Sequence, residues 1–209
     1  MAQQVRNLVQ RVSSESDRRS EIESILTQRL DILAKALPTL SQQSPTLEAI
    51  ASLLCDTLRS GHKVLVAGNG GSAAEAQHFA AELVGRFLRE RAPYAAIALT
   101  TDSSILTAIA NDYSYEDIFA RQVEGLGRPG DVLIVYSTSG ESRNLVRAAE
   151  QARAQGIAVI SVTGPRHNTL ERLSLHCVRA PAGETPIVQE IHMMVTHLLC
   201  GLVEKELSA

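Results

Sequence analysis

The chain has 209 residues, 44% hydrophobic and 21% charged, with a formal net charge of −3. This is globular composition, which excludes a mainly disordered chain; at roughly 150 residues per domain it means one domain with room for a helical extension. Aromatic residues make up 3% and Trp is absent, so the core must be aliphatic. A stacking platform for single-stranded nucleic acid is thereby excluded, and without a basic excess no nucleic-acid partner is expected.

The first twenty residues contain no apolar h-region, so no secretory leader is expected. No run of about 18 apolar residues stands out, so no membrane span is expected. Cys55, Cys177 and Cys200 form no C-x-x-C pair and lie in apolar stretches. They read as buried thiols of a reducing compartment. The expectation is a soluble, cytoplasmic protein.

Residues 1–60 read as a helical extension. Residues 1–18 are polar and are expected to fray. Ile22, Ile25, Leu26, Leu30, Leu33 and Leu37 recur mostly at spacings of three and four, which predicts one amphipathic helix. Pro38 predicts a stop near Ala36. Ser44 followed by Pro45 predicts the start of a second helix, which carries Leu47, Ile50, Leu53, Leu54 and Leu58 and ends at Gly61.

Residues 61–209 change pattern. Apolar runs at Val64–Ala67, Ala95–Leu99, Val132–Tyr136, Ile157–Val162 and Leu175–Val178 alternate with helical stretches. Alternation of this kind predicts βαβ units, hence an α/β three-layer sandwich around a five-stranded parallel sheet. One long helix is predicted from Pro186 to Leu207. Open parallel sheets bind ligands beyond the carboxyl ends of their strands, so the loops that follow the strands matter most.

Gly68-Asn69-Gly70-Gly71-Ser72 follows the first strand, and Ser137-Thr138-Ser139-Gly140-Glu141-Ser142 follows the third. Both lead into helices. Small residues let a ligand approach the backbone, and a helix N-terminus offers free N–H groups to an anion. Four hydroxyls in six residues suit a phosphate monoester, although either loop is also readable as a plain strand-to-helix turn. Neither matches the P-loop or the dinucleotide-binding pattern.

His78 and Glu82 are four apart on a predicted helix over Ala73–Arg89, on one face with Phe79 and Leu83. Such a pair can bind a metal or move protons, or be a solvated helix pair. Gln189, Met193 and His197 step by four along the last helix, with His192 pointing elsewhere. His197 alone is equally readable as a satisfied histidine at a helix interface. Asp112, after the apolar helix Ile105–Ala110, is either a cap for the next helix or a substrate contact.

Taken together, AGNGGSAAEAQHFAAELVGRF at 67–87, LTTDSSILTAIANDYSYEDIFARQV at 99–123, GDVLIVYSTSGESRNLVRA at 130–148 and ETPIVQEIHMMVTHLLCGLVE at 184–204 resemble the SIS (sugar isomerase) domain family. Within it, the likeness is to bacterial isomerases of sedoheptulose 7-phosphate. The resemblance implies an aldose–ketose isomerase that feeds ADP-heptose into lipopolysaccharide core synthesis. By that resemblance, Asn69, Gly70, Gly71 and Ser72 belong to a substrate-binding loop, and Asn111 and Asp112 contact substrate. Ser137, Thr138, Ser139 and Ser142 hold the phosphate. His78, Glu82, Gln189 and His197 hold one zinc ion per subunit. Glu82 and His197 are also the acid–base residues, and Glu82 and Gln189 also face the substrate. Pro186 stands where some members carry Asp, and Thr185 or Glu184 is the substitute in this chain. The resemblance further implies a homotetramer whose active sites form between subunits, with the N-terminal helices serving assembly. A sister group in the same family is a scaffold for the replication initiator DnaA. It is the rival reading, and the presence of both Glu82 and His197 weighs against it.

Overall fold

The computed structural model describes the backbone of residues 2–208 and the side chains of residues 17–208. Residues 1–18, expected to fray, lie for the most part outside the described side chains. The chain divides into two units, Met1–Pro38 and Thr39–Ala209.

Helix α1 spans Ala2–Ser41 and contains Pro38, so the expected stop near Ala36 is not observed. A proline removes only its own N–H bond to the carbonyl one turn earlier, and the helix resumes for a last turn. Within the first unit, Ile22, Ile25, Leu26 and Leu30 stand exposed along the helix.

The second unit opens with α2, Ser44–Arg59, with Pro45 in its first turn. It buries Leu47, Ile50, Leu54 and Cys55, and Gly61, at φ 77°, turns the chain into the sheet. Strands β1 (Val64–Gly68), β2 (Ala96–Ala98), β3 (Val132–Ser137), β4 (Ala158–Thr163) and β5 (His176–Arg179) pair in the order β2-β1-β3-β4-β5, all parallel. Strands β1 and β3 are buried along their whole length, as their unbroken aliphatic runs require.

The connecting helices are α3 (Gly71–Val84), α4 (Ser103–Asp112), α5 (Ala120–Leu126), α6 (Arg143–Ala154) and α7 (Thr169–Leu173), and α8 (Thr185–Leu207) closes the fold. From β1 the chain runs to β2 on one side, then crosses to β3 on the other. The order therefore reverses at β1/β3, and helices α3 and α6 diverge over that point to leave a crevice.

Two expectations are met only in part. By length and composition α8 is apolar enough to cross a membrane, with a mean hydropathy of 1.3 over its best window. Half of that window is buried, and α8 packs on α2 and α3 as a core helix does. Cys55 and Cys200 are buried, as expected, but Cys177 is only partly covered. Burial pushes the Cys55 and Cys200 thiols up to about 12, with the neighbouring Glu206 and Glu82 carboxylates adding to it. Neither is a nucleophile at neutral pH.

Candidate active site

The crevice holds two adjoining cavities. One, of about 220 Å³, is lined by Asn69, Gly71, Ser72, Tyr136, Ser137, Thr138, Ser139, Ser142, Leu145, Thr185 and Gln189. All four hydroxyl residues expected to hold phosphate thus line one cavity. The Ser137 hydroxyl accepts from Gly140 N at 3.0 Å, and Ser139 accepts from Glu141 N at 3.2 Å, which folds the loop tightly. Gly140 sits at φ 68°, and a Cβ there would meet Asn168 Cγ at 2.1 Å. Only glycine fits that close approach. Ser142 immediately precedes α6, yet its hydroxyl makes no capping bond to the helix. Ser142 lines the cavity ahead of the helix N-terminus, which offers free N–H groups of the kind that bind anions.

The second cavity, of about 230 Å³, lies on the other side of Asn69 and is lined by Gly68, Gly70, Ala73, Thr100, Thr107 and Tyr115 among others. Asn69 is fixed between the two. It exchanges amide hydrogen bonds with Asn144 at 2.9 and 2.8 Å, and accepts from the Tyr115 hydroxyl at 3.1 Å. Asn144 and Tyr115 went unremarked in the sequence. Neither carries a local signal: that Asn144 is 3% exposed is known only from the folded chain.

His78 and Glu82 leave α3 one turn apart. They flank the buried stripe of Phe79 and Leu83 rather than sharing it, and turn toward α8. His78 Nε2 lies 3.1 Å from Glu82 Oε1 and 3.1 Å from His197 Nε2. One ligand atom from each residue falls within 4.8 Å of the other two. Phe87 stacks on the His197 ring, with centroids 5.6 Å apart and planes at 22°. Nothing local in the sequence signals this aromatic contact.

Phe87 reaches His197 because α3 ends early, at Val84 rather than at the expected Arg89. The Arg91 guanidinium donates to the carbonyls of Glu82 at 2.7 Å and Leu83 at 2.9 Å, capping the helix end. The buried Glu204 carboxylate accepts from Phe87 N, Leu88 N and Arg89 N at 2.9, 2.7 and 2.9 Å, and from Arg91 Nε at 3.1 Å. Four donors on one carboxylate shape a segment that local periodicity reads as helix.

Gln189 projects from α8 onto Gly71, where a Cβ would stand 2.2 Å from its Nε2. It therefore forms part of the cavity wall beside the hydroxyl loop. Thr185 lines the same cavity, while Glu184 is exposed and does not. Asn111 and Asp112 are the last two residues of α4, exposed and hydrogen-bonded to each other at 2.8 Å. They line neither cavity. Asp112 does not cap the next helix, because Ser114 does, accepting from Glu116 N.

A family model described as the SIS domain matches residues 30–164. The phosphoheptose isomerase of Rhodospirillum rubrum is 51% identical over 164 residues, 78% of this chain and 87% of that protein. That of Akkermansia muciniphila is 46% identical over 175 residues, 84% and 93% of the two chains. The chain belongs to the SIS domain family, among its phosphoheptose isomerases. Solved structures agree. The phosphoheptose isomerase from Francisella tularensis superposes with a TM-score of 0.82 at 34% identity, covering 89% of this chain and 97% of that one. GmhA from Neisseria gonorrhoeae gives 0.80 at 36%, covering 90% and 98%.

As a member of that family the protein is a sugar-phosphate isomerase, and the scaffold reading is not favoured. The His78–Glu82–His197 cluster fits a metal on its own chemistry. Two imidazoles and a carboxylate are the ligand types zinc takes. Donor atoms 3.1 Å apart match the ~3.3 Å separation that bonds of about 2.0–2.1 Å impose in a tetrahedral site.

Proposed function

We propose that this isomerase interconverts sedoheptulose 7-phosphate and D-glycero-D-manno-heptose 7-phosphate, in the cytoplasm, for ADP-heptose and lipopolysaccharide core synthesis. The observation that carries the reading is the convergence of Glu82 and His197 on His78 from two helices that also wall a hydroxyl-lined cavity. A carboxylate and an imidazole side by side are what a proton shift between adjacent carbons needs.

The substrate phosphate rests on Ser137, Thr138, Ser139 and Ser142, before the N-terminus of α6. Asn69, Gly70, Gly71 and Ser72 hold the sugar hydroxyls, with Gln189 above Gly71. Asn111 and Asp112, at an exposed corner, serve a site completed by a neighbouring subunit. A zinc ion held by His78, Glu82, Gln189 and His197, one per subunit, would supply Lewis acidity toward the substrate carbonyl.

In the open-chain ketose, Glu82 takes a proton from C1, leaving an enediolate across C1 and C2. Glu82 returns the proton to C2. His197 gives a proton to the former carbonyl oxygen on C2 and takes one from the C1 hydroxyl. C1 ends as an aldehyde and C2 as a secondary alcohol, so no hydrogen or electron is gained or lost. Phe87 on the imidazole face holds His197 in one orientation.

The helical extension, residues 1–60, serves assembly into a homotetramer through α1, since α2 packs within the unit that carries the site, and residues 61–209 form the rest of the catalytic domain. Support for the assembly role comes from the apolar face that α1 exposes at Ile22, Ile25, Leu26 and Leu30. The function is tested by incubating the protein with sedoheptulose 7-phosphate and following the products by NMR. Appearance of the aldose heptose 7-phosphate is expected, and an unchanged ketose would overturn the reading.

A further inference from the structure

Glu75 and His192 line neither cavity, yet they are 4% and 0% exposed. His192 Nδ1 donates to Glu75 Oε2 at 3.2 Å, joining α3 to α8. The pair is poorly satisfied: Glu75 Oε1 and His192 Nε2 are both buried with no hydrogen-bond partner among the described residues. Such a pair is costly, and an apolar pair of similar volume would stabilise the fold as well or better. Stability does not account for it.

Its position along the two helices does. Glu75 precedes His78 by three residues and Glu82 by seven, one and two turns along α3. On α8, His192 lies three residues after Gln189 and five before His197. The contact thus sits on the seam between the two ligand-bearing helices. A one-residue slip along a helix moves a side chain by about 1.5 Å, whereas metal–ligand distances tolerate only about 0.2 Å. Aliphatic packing alone permits small slips, but a hydrogen bond between two fixed atoms does not. The same histidine packs on Tyr136, with ring centroids 5.8 Å apart. Tyr136 bonds Thr196 at 2.6 Å, which pins α8 to β3 next to His197.

We propose that the Glu75–His192 hydrogen bond is a clasp that sets the register of α3 against α8, and through it the spacing of His78 and Glu82 against Gln189 and His197. Both are positioning residues. The inference rests on the metal site of the proposed function, and the two fail separately: wild-type protein that takes up no zinc overturns the metal site, whereas the clasp is judged on variants of a zinc-binding wild type.

The experiment measures zinc affinity of the full chain by competition with a chromophoric chelator, alongside the thermal midpoint of the metal-free protein. His192→Phe fills the ring's space and keeps the contact with Tyr136 but loses the donor. It leaves the Glu75 carboxyl buried without a partner, so the thermal midpoint is expected to fall, while zinc binds the folded protein roughly 10–100-fold more weakly. Its kcat should fall by more than KM rises, since the phosphate loop lies on other elements although Gly71 and Gln189 do not. Glu75→Gln can still accept from Nδ1 and should restore zinc affinity to within about threefold of wild type. If His192→Phe does not fold, Glu75→Leu breaks the same contact from α3 and should give the same zinc deficit. Wild-type zinc affinity in whichever of these two variants folds would overturn the clasp. So would a Glu75→Gln protein as weakened as they are, since the hydrogen bond would then not be what sets the ligands.

Discussion

The Nε2 atoms of His78 and His197 lie 3.1 Å apart although 119 residues separate them in the chain. Neither ring is deeply buried, and no apolar core pushes them together. Two like donors meet at such a distance when one lends a lone pair, or when both face a common third party. With Glu82 Oε1 also 3.1 Å from His78 Nε2, the three donors are close enough to share one centre.

Glu82→Gln is expected to abolish isomerisation while leaving fold and substrate binding in place. The amide keeps the shape but accepts no proton, and loss of a general base costs about 10²–10⁴ in rate. Steady-state kinetics with sedoheptulose 7-phosphate, paired with circular dichroism, checks this. Turnover near wild type would remove Glu82 from the chemistry.

The serines of the proposed phosphate loop should separate into two kinds. Ser142 makes no capping bond, so Ser142→Ala should raise KM by the worth of one bond to a charged group, about 1.5–3 kcal/mol or roughly 10–150-fold, with kcat little changed. Ser137 also accepts from the buried Gly140 N–H. Ser137→Ala leaves that donor unpaired and should lower the thermal midpoint as well, by the equivalent of about 1–3 kcal/mol. A midpoint unchanged in Ser137→Ala would show that the loop does not depend on that bond.

Gly71→Ala places a methyl 2.2 Å from Gln189 Nε2. Gln189 must swing away while the exposed end of α3 absorbs the change. A folded protein with at least tenfold lower kcat/KM is expected. Kinetics indistinguishable from wild type would mean that Gln189 is not needed where it lies.

The parallel sheet was legible because β1 and β3 are apolar runs that end in small-residue loops and β4 is a mostly aliphatic run, and the last helix because its apolar positions recur over six turns. The end of α3 was not. Residues 85–91 have helix-compatible spacing, and what stops them is Glu204, 113 residues from Arg91. For the same reason Asn144, Tyr115 and Phe87 were invisible: each acts by touching Asn69 or His197, and only the folded chain brings them there. The loops and the His78/Glu82 pair could be singled out because their chemistry is local, residue beside residue or one turn apart.

Glu204 also sets an acid limit. Burial alone would raise its pKa, but the three backbone donors and the Arg91 charge outweigh it and hold the carboxyl below its ordinary 4.5. Asp131 is likewise held below its ordinary 3.8 against its burial, by Lys63 and Arg128. A carboxyl with a depressed folded-state pKa stabilises fully above its unfolded value and stops doing so as pH falls through the folded one. The thermal midpoint should therefore be unaffected by these two groups above about pH 5 and drop steeply below about pH 4. Glu204→Gln should flatten part of that drop while lowering the midpoint at neutral pH. An equally steep acid limb in the variant would assign the loss to other carboxyls.

The most direct test of the whole account is the turnover of sedoheptulose 7-phosphate before chelation, after chelation and after zinc is returned. The account predicts that activity disappears with the metal and comes back as zinc reaches one equivalent per chain. Full activity in metal-free protein would contradict it, leaving Glu82 and His197 to move the protons without a metal.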